Sequence, residues 1–195
     1  MDLVLATRNP GKVAELAVRL AALPVTLHAA ADFPAAPEVE EDADTLHGNA
    51  EKKARALLEA TGLPALADDT GLEVDALGGA PGVFSARYAG PAEDAVANRA
   101  KLLDAIRGEA NRRAHFRCVL AFAEGPGVLF FDGVCEGTIT KEERGAEGFG
   151  YDALFVPDAG DGRTFAEMTK EEKNRISHRG RALDLFAAFL QQKLA

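Results

Sequence analysis

Asp2-Leu3-Val4-Leu5-Ala6-Thr7-Arg8-Asn9-Pro10-Gly11-Lys12 passes from a short apolar run into a polar loop. Leu3-Val4-Leu5-Ala6 shows no polar alternation, as expected of a strand buried on both faces. Val13, Leu16, Ala17 and Leu20 then recur at helical spacing, which predicts an amphipathic helix over about residues 10–23. Strand, tight loop and helix in that order open an α/β pattern.

The rest of the chain extends it. Residues 24–28 are a second strand candidate, and Leu46, Ala50, Ala54, Leu57 and Leu58 mark one face of a helix ending near Gly62. Leu63 to Ala67 reads as a short buried strand, Leu72 to Leu77 as a half-exposed one, and residues 93–107 as a helix. Phe116 to Ala123 and Val128 to Thr140 flank the turn-forming Glu124-Gly125-Pro126-Gly127, which predicts an antiparallel hairpin. Ala153 to Val156 is a last strand, and Leu183, Phe186, Ala187, Leu190 and Leu194 define a terminal helix. The expected fold is α/β, a mixed sheet with flanking helices. The central hairpin is expected to form a second lobe, with a ligand cleft between lobes. No linker or repeat divides the chain, so residues 1–195 read as one domain.

Composition narrows the function. With 47% hydrophobic residues the chain can bury a core, which excludes disorder and a disulfide-stapled miniprotein. Lys plus Arg total 22 against 31 Asp plus Glu, a formal charge of -9 that argues against long nucleic acid as a partner. A small anion carried with a divalent cation is compatible with that balance. Cys118 and Cys135 have no zinc-ligand spacing and fit strand packing in a reducing compartment. No apolar stretch approaches bilayer length, so a soluble, cytoplasmic protein without a membrane partner is expected.

Lys12 falls in the first turn of its predicted helix, where unpaired N–H groups disfavour a cation by about 0.3–1 kcal/mol. An exposed lysine reaching into solvent is one reading. The other seats a phosphate between the helix amides, Asn9 and Lys12. The loop lacks the first glycine and the Lys-Ser/Thr ending of a Walker A sequence, which disfavours a P-loop NTPase. Ser177 is a predicted N-cap that places His178 and Arg179 in another first turn. Thr169-Lys170-Glu171-Glu172 has capping-box spacing, so it would start a short helix, ahead of the one capped by Ser177, that carries Lys173. Cations at two helix starts point to a polyanion site assembled from distant parts of the chain.

Asp68 and Asp69 follow a buried strand. If the strand continues, alternation lets at most one of them line a given cleft; an Asp-rich turn leading into Gly71 is the alternative. Together with Glu40 and Glu41 they supply the oxygen ligands that Mg²⁺ prefers. In Gly148-Phe149-Gly150-Tyr151-Asp152, Phe149 either stacks on a base, with Asp152 accepting from a ring N–H, or packs into the core. His28, His47 and His115 fit no metal-ligand pattern.

Taken together these residues resemble the inosine triphosphate pyrophosphatase family, also called Ham1-like or non-canonical purine nucleoside triphosphate pyrophosphatases. The resemblance spans nearly the whole chain: Thr7, Asn9, Gly11 and Lys12; Glu40-Glu41; Asn49-Ala50; Ala67 through Leu72; Leu77 through Gly82; Ser85-Ala86-Arg87-Tyr88; Gly148 through Asp152; Glu172-Lys173; and Ser177-His178-Arg179. It implies Mg²⁺-dependent hydrolysis of ITP, dITP and XTP to the monophosphate and pyrophosphate. It also implies a homodimer, with the nucleotide in a cleft between the lobes of an elongated mixed α/β fold. Carried over residue by residue, Asp69 is the catalytic carboxylate and a magnesium ligand, with Glu40 the second metal residue and Glu41 its fallback. Thr7, Arg8, Asn9, Pro10, Gly11, Lys12 and Lys173 hold phosphates, and Thr70 contacts the nucleotide. Phe149, Gly150, Tyr151, Asp152, His178 and Arg179 grip the base. Thr70, Gly48 and Leu46 stand where many relatives carry Ser, Glu and Phe, which puts only packing near the second helix in question. Two other readings stay open on the sequence: a pyrophosphatase for other modified nucleotides, and a module that binds a nucleotide without turnover.

Overall fold

A computed structural model describes residues 1–7 and 10–195, with nothing stated of the Pro10 and Gly11 side chains. The described strands hydrogen-bond in the order β2-β1-β3-β5-β6-β7, and β4 pairs with β3, giving a seven-stranded sheet. The chain divides into two compact units. The first comprises Met1–Asp69, Val119–Asp132 and Ala182–Ala195, and the second Thr70–Cys118 and Gly133–Arg181.

In the first unit β1 (Asp2–Leu5) lies parallel to β2 (Thr26–Ala29) and to β3 (Ala65–Val74), with Val4 opposite His28 on one side and Ala65 on the other. Leu3 and Val4 are fully buried, as a strand flanked on both sides requires. Helix α1 (Pro10–Leu20) crosses from β1 to β2, burying Leu16 and Leu20. Helix α2 (Leu46–Thr61) starts at Thr45, whose hydroxyl accepts from the Gly48 N–H at 3.0 Å, and stops at Gly62, left-handed at φ 68°. A side chain at Gly48 would press on the Ala43 methyl, so this first turn fits glycine; Leu46 fills its place in the core.

Strands β5 (Arg113–Glu124) and β6 (Gly127–Ile139) form the expected hairpin, turning through Gly125 and Pro126. In the first unit the hairpin tip meets the terminal helix α5 (His178–Lys193), where Phe122 and Phe131 pack on Phe186 with ring centroids 5.5 and 5.4 Å apart. The hairpin therefore does not make a lobe of its own. Its tip, Val119–Asp132, belongs to the first unit and its base to the second, because the apolar side chains along each strand are shared between two cores.

The second unit is built round Leu72, Leu102, Ile106, Phe116, Phe155 and Phe165, all buried. Each such side chain contributes about 1.5–3 kcal/mol on leaving water. Helix α3 (Ala95–Ala105) is capped by Asp94, which accepts from the Val96 and Ala97 N–H groups. Strands β4 (Pro81–Gly82) and β7 (Phe155–Pro157) run antiparallel to β3 and β6. The two strands expected on either side of Asp68-Asp69-Thr70-Gly71 are one ten-residue strand, β3. The Asp-rich turn does not form, since burial and pairing along the sheet override the weak strand preference of Asp and Gly. Cys118 and Cys135 form no disulfide and are buried in the hairpin, and burial pushes the Cys135 thiol up to about 11. Among the described residues no helix is long and apolar enough to cross a membrane.

Candidate active site

The acidic and basic residues singled out above form one constellation in each unit. In the first unit Asp68 and Asp69 sit side by side on β3, both 8% exposed. Strand alternation gives them different partners. Asp68 takes Lys12, whose ammonium donates to both carboxylate oxygens at 3.0 and 2.9 Å. This pair accounts for a cation in the first turn of α1: its countercharge is a carboxylate from β3, which offsets the unfavourable helix end.

Asp69 faces α2. The Asn49 amide donates to its Oδ2 at 3.2 Å, and the Lys53 ammonium to its Oδ1 at 3.3 Å. Lys53 also donates to the Glu41 carboxylate at 2.7 Å and to the Asp68 carbonyl at 2.7 Å. Burial raises the Asp69 pKa above the ordinary carboxylate range, opposed by Lys53 and reinforced by Glu41. The same burial works against the Lys53 ammonium, yet Asp69, Glu41 and Asp68 outweigh it and hold its pKa above the usual lysine value. The two partners differ because Lys53 answers to three acidic side chains, whereas Asp69 meets one ammonium and a like charge.

Asp69 and Glu41 converge on one ammonium, so a cation can draw both carboxylates. Asp69 and Glu41 therefore fit Mg²⁺, an oxygen-seeking ion that often takes one or two carboxylates and completes its shell with water and substrate phosphates. Among the described residues no three His, Cys, Asp or Glu side chains converge as a closed cage. The Glu40 side chain is exposed, and its carbonyl accepts from Lys52 at 3.1 Å. Thr7 is buried, and with Lys53 and Leu57 it lines a cavity of about 200 Å³ in this unit. Arg8 and Asn9 lie outside the described residues; of Pro10 and Gly11 only the backbone, within α1, is described.

In the second unit Phe149, Asp152 and Lys173 form the other constellation. Phe149 is 68% exposed, so it is not a core side chain. The Lys173 ammonium lies 4.8 Å from its ring centroid and donates to Asp152 Oδ2 at 2.6 Å. Asp152 is buried and also accepts from the Phe149 N–H at 2.9 Å. Gly148, left-handed at φ 78°, lies so close that a Cβ would overlap the Asp152 carboxylate. Tyr151 donates its hydroxyl to the Ser85 carbonyl at 2.9 Å. Lys173 rides on α4 (Lys170–Ile176), started by the predicted capping box between Thr169 and Glu172. Ser177 accepts from the Gly180 N–H at 3.0 Å, placing His178 first in α5. The His178 ring is buried and stacks on Phe116 at 4.6 Å, and Arg179 beside it is half-buried. The Thr70 hydroxyl is buried without a hydrogen-bond partner among the described residues.

The model of the Ham1 family matches residues 3–189. The chain belongs to the Ham1 family. A curated relative from Desulforamulus reducens, named dITP/XTP pyrophosphatase, is 54% identical over 187 residues, spanning 94% of this chain and 92% of that protein. A HAM1 protein from Coxiella burnetii superposes with a TM-score of 0.94 at 42% identity, over 98% of this chain and 99% of that one. The Staphylococcus aureus Ham1 protein superposes at 0.91 with 36% identity, covering 99% and 100% of the two chains.

Within this Ham1-family chain, Lys53 is the site residue that sequence reasoning passes over. Asn49, Lys53 and Leu57 recur at i, i+4 and i+8, so the lysine lies beside the apolar stripe of α2. A lysine on the inward side of a helix is the signal that would find it. Asn49 is visible in the sequence as part of the Asn-Ala pair, without a role.

Proposed function

We propose that the protein hydrolyses non-canonical purine nucleoside triphosphates, ITP, dITP and XTP, to the monophosphate and pyrophosphate, with Mg²⁺ as cofactor. The observation that carries this reading is Asp69: a buried carboxylate of raised pKa, positioned by Asn49 and Lys53 beside a second carboxylate. The names of the relatives, dITP/XTP pyrophosphatase, support the substrate class.

Asp69 and one glutamate, Glu40 by family resemblance or Glu41 by the cation it shares with Asp69, would hold the metal. When bound, Mg²⁺ neutralises charge on the attacked α-phosphate and on the departing pyrophosphate. Asp69 orients the attacking water or takes its proton, a task helped by a carboxyl titrating closer to neutrality. Lys12 and Lys53 then turn from their carboxylates to phosphate oxygens. In the second unit Phe149 offers its exposed face to the purine, with Asp152 and Lys173 beneath it. Arg179, or a backbone N–H beside it, donates to the 6-oxo group of hypoxanthine or xanthine. Adenine presents an amino group there, which leaves a buried donor unpaired at a cost of about 1–3 kcal/mol. The reading extends to a homodimer in the cytoplasm, its stoichiometry measurable by light scattering.

The deciding experiment incubates purified protein and Mg²⁺ with ITP, XTP, ATP and GTP, and measures pyrophosphate and orthophosphate separately. Pyrophosphate from ITP and XTP is expected, with ATP far slower. Orthophosphate as the first product would overturn the cleavage position, and tight ITP binding without product would make the protein a sensor.

A further inference from the structure

Beyond the residues that touch the nucleotide in the reading above, we infer that Arg99 is a positioning residue that sets the shape of the Phe149–Asp152 loop. The loop is anchored from within by Asp152, which holds the Phe149 N–H and the Lys173 ammonium. Tyr151 ties it to the Ser85 carbonyl, and a further anchor comes from α3, 51 residues earlier in the chain. The Arg99 guanidinium donates through Nη1 to the Gly150 carbonyl at 2.9 Å. Its Nε lies 3.0 Å from the Glu143 carboxylate, an ion pair without a hydrogen bond, and the Arg99 side chain is 15% exposed.

Gly150 is the residue between the two aromatics, and it is left-handed at φ 58°. Glycine passes readily between positive and negative φ, so the residue itself does not choose the direction of its carbonyl. Arg99 makes that choice. A guanidinium presents its donors in a rigid planar fork, and the Glu143 carboxylate draws that fork by charge to this side of α3, where Nη1 meets the Gly150 carbonyl. With Gly150 held from one side and the Phe149 N–H from the other, the Phe149 ring is presented to solvent in one orientation. Arg99 needs no contact with the nucleotide to govern how well the purine is held.

The test uses the absence of tryptophan from the chain, which makes the indole introduced by Phe149→Trp a single reporter. In a Phe149→Trp background, Arg99→Gln and Arg99→Lys are compared by acrylamide quenching and fluorescence anisotropy without nucleotide. In the otherwise native chain the same two substitutions are compared by ITP kinetics. Arg99→Gln should increase quenching and lower anisotropy. It should raise KM about tenfold, the equivalent of one charge-assisted hydrogen bond, with kcat within twofold. Arg99→Lys, which keeps the charge but not the fork, should fall between. If Arg99→Gln does not fold, Glu143→Gln removes the countercharge of the same guanidinium and should show the same direction at smaller amplitude. Unchanged quenching and KM in the folded variants would overturn the inference, as would a fall in kcat at constant KM. The quenching arm does not depend on the proposed activity. A loosened indole reporter in a protein that never hydrolyses ITP would sink that activity and leave the role of Arg99 standing.

Discussion

Replacing Lys53 by methionine removes an ammonium that contacts Glu41, the Asp68 carbonyl and Asp69 together. The Lys53 and Asp69 side chains are only 14% and 10% exposed, whereas Glu41 is 39% exposed and its share is discounted for solvent screening. Breaking a buried ion pair from one side costs about 3–5 kcal/mol, because the surviving charge is left uncompensated. Methionine keeps the apolar packing of the stem, so the lower end, about 3 kcal/mol, applies. In a chain of this size that lowers Tm by roughly 6–12 °C. The loss should depend on pH. Burial already raises the Asp69 pKa, and without Lys53 the carboxyl escapes the penalty by taking a proton, so the variant should be weakened more at pH 8 than at pH 5. Thermal and urea unfolding at both pH values, with Lys53→Met, Asp69→Asn and the double variant, complete a cycle. Asp69→Asn in the Lys53→Met background should restore most of the loss, since no charge then remains to be neutralised. A Lys53→Met protein within about 0.5 kcal/mol of the parent at pH 8, the range of ordinary surface changes, would refute the reasoning. So would a double variant no more stable than Lys53→Met.

Asp69→Asn alone should lower ITP turnover by about 10²–10⁴-fold while circular dichroism shows a folded chain; near-parental turnover would remove Asp69 from the chemistry. Gly148→Ala forces a left-handed φ of 78° on a residue with a Cβ and drives that Cβ into the Asp152 carboxylate. It should cost at least about 2 kcal/mol by denaturant unfolding, and a neutral result would mean that the loop is held otherwise. The Arg163 hydrogen bond and the Thr169 N–H lower the Glu172 carboxyl from 4.5 to about 2. A depressed carboxyl stabilises the fold only while ionised, so its help is complete above 4.5 and is lost as pH falls toward 2. A carbon-detected titration of Glu172 should follow that window, and a midpoint at the ordinary glutamate value would break the assigned capping pair.

What is legible in the sequence is mostly local. The buried strand at Leu3-Val4-Leu5, the Thr169–Glu172 capping box, the Ser177 cap and the hairpin turn each depend on neighbours a few residues apart. What stayed hidden depends on partners brought together by the sheet. Nothing near Lys12 names Asp68, 56 residues away. Asp68-Asp69-Thr70-Gly71 has a composition that strands avoid, yet it lies in mid-strand because β1 flanks its start and β4 its end. Lys53 is an ordinary surface residue until the inward face of its helix is known. Phe149 could be placed only by exposure, which no sequence pattern states.

Lys12, Lys53 and Lys173 each arrive with a carboxylate already attached: Asp68, Asp69 with Glu41, and Asp152. Such lysines are poor bait for stray anions. Inorganic phosphate or a stretch of RNA would have to evict a tethered competitor, and would leave a buried negative charge stranded behind it. Under the proposed function, a guest escorted by its own dication would escape that difficulty in the first unit, where the metal would satisfy Asp69 and a neighbouring glutamate while the Lys53 ammonium turned to a phosphate. On that proposal, the Lys53 pair of the first unit would thus work as a turnstile that admits charge only in neutral bundles.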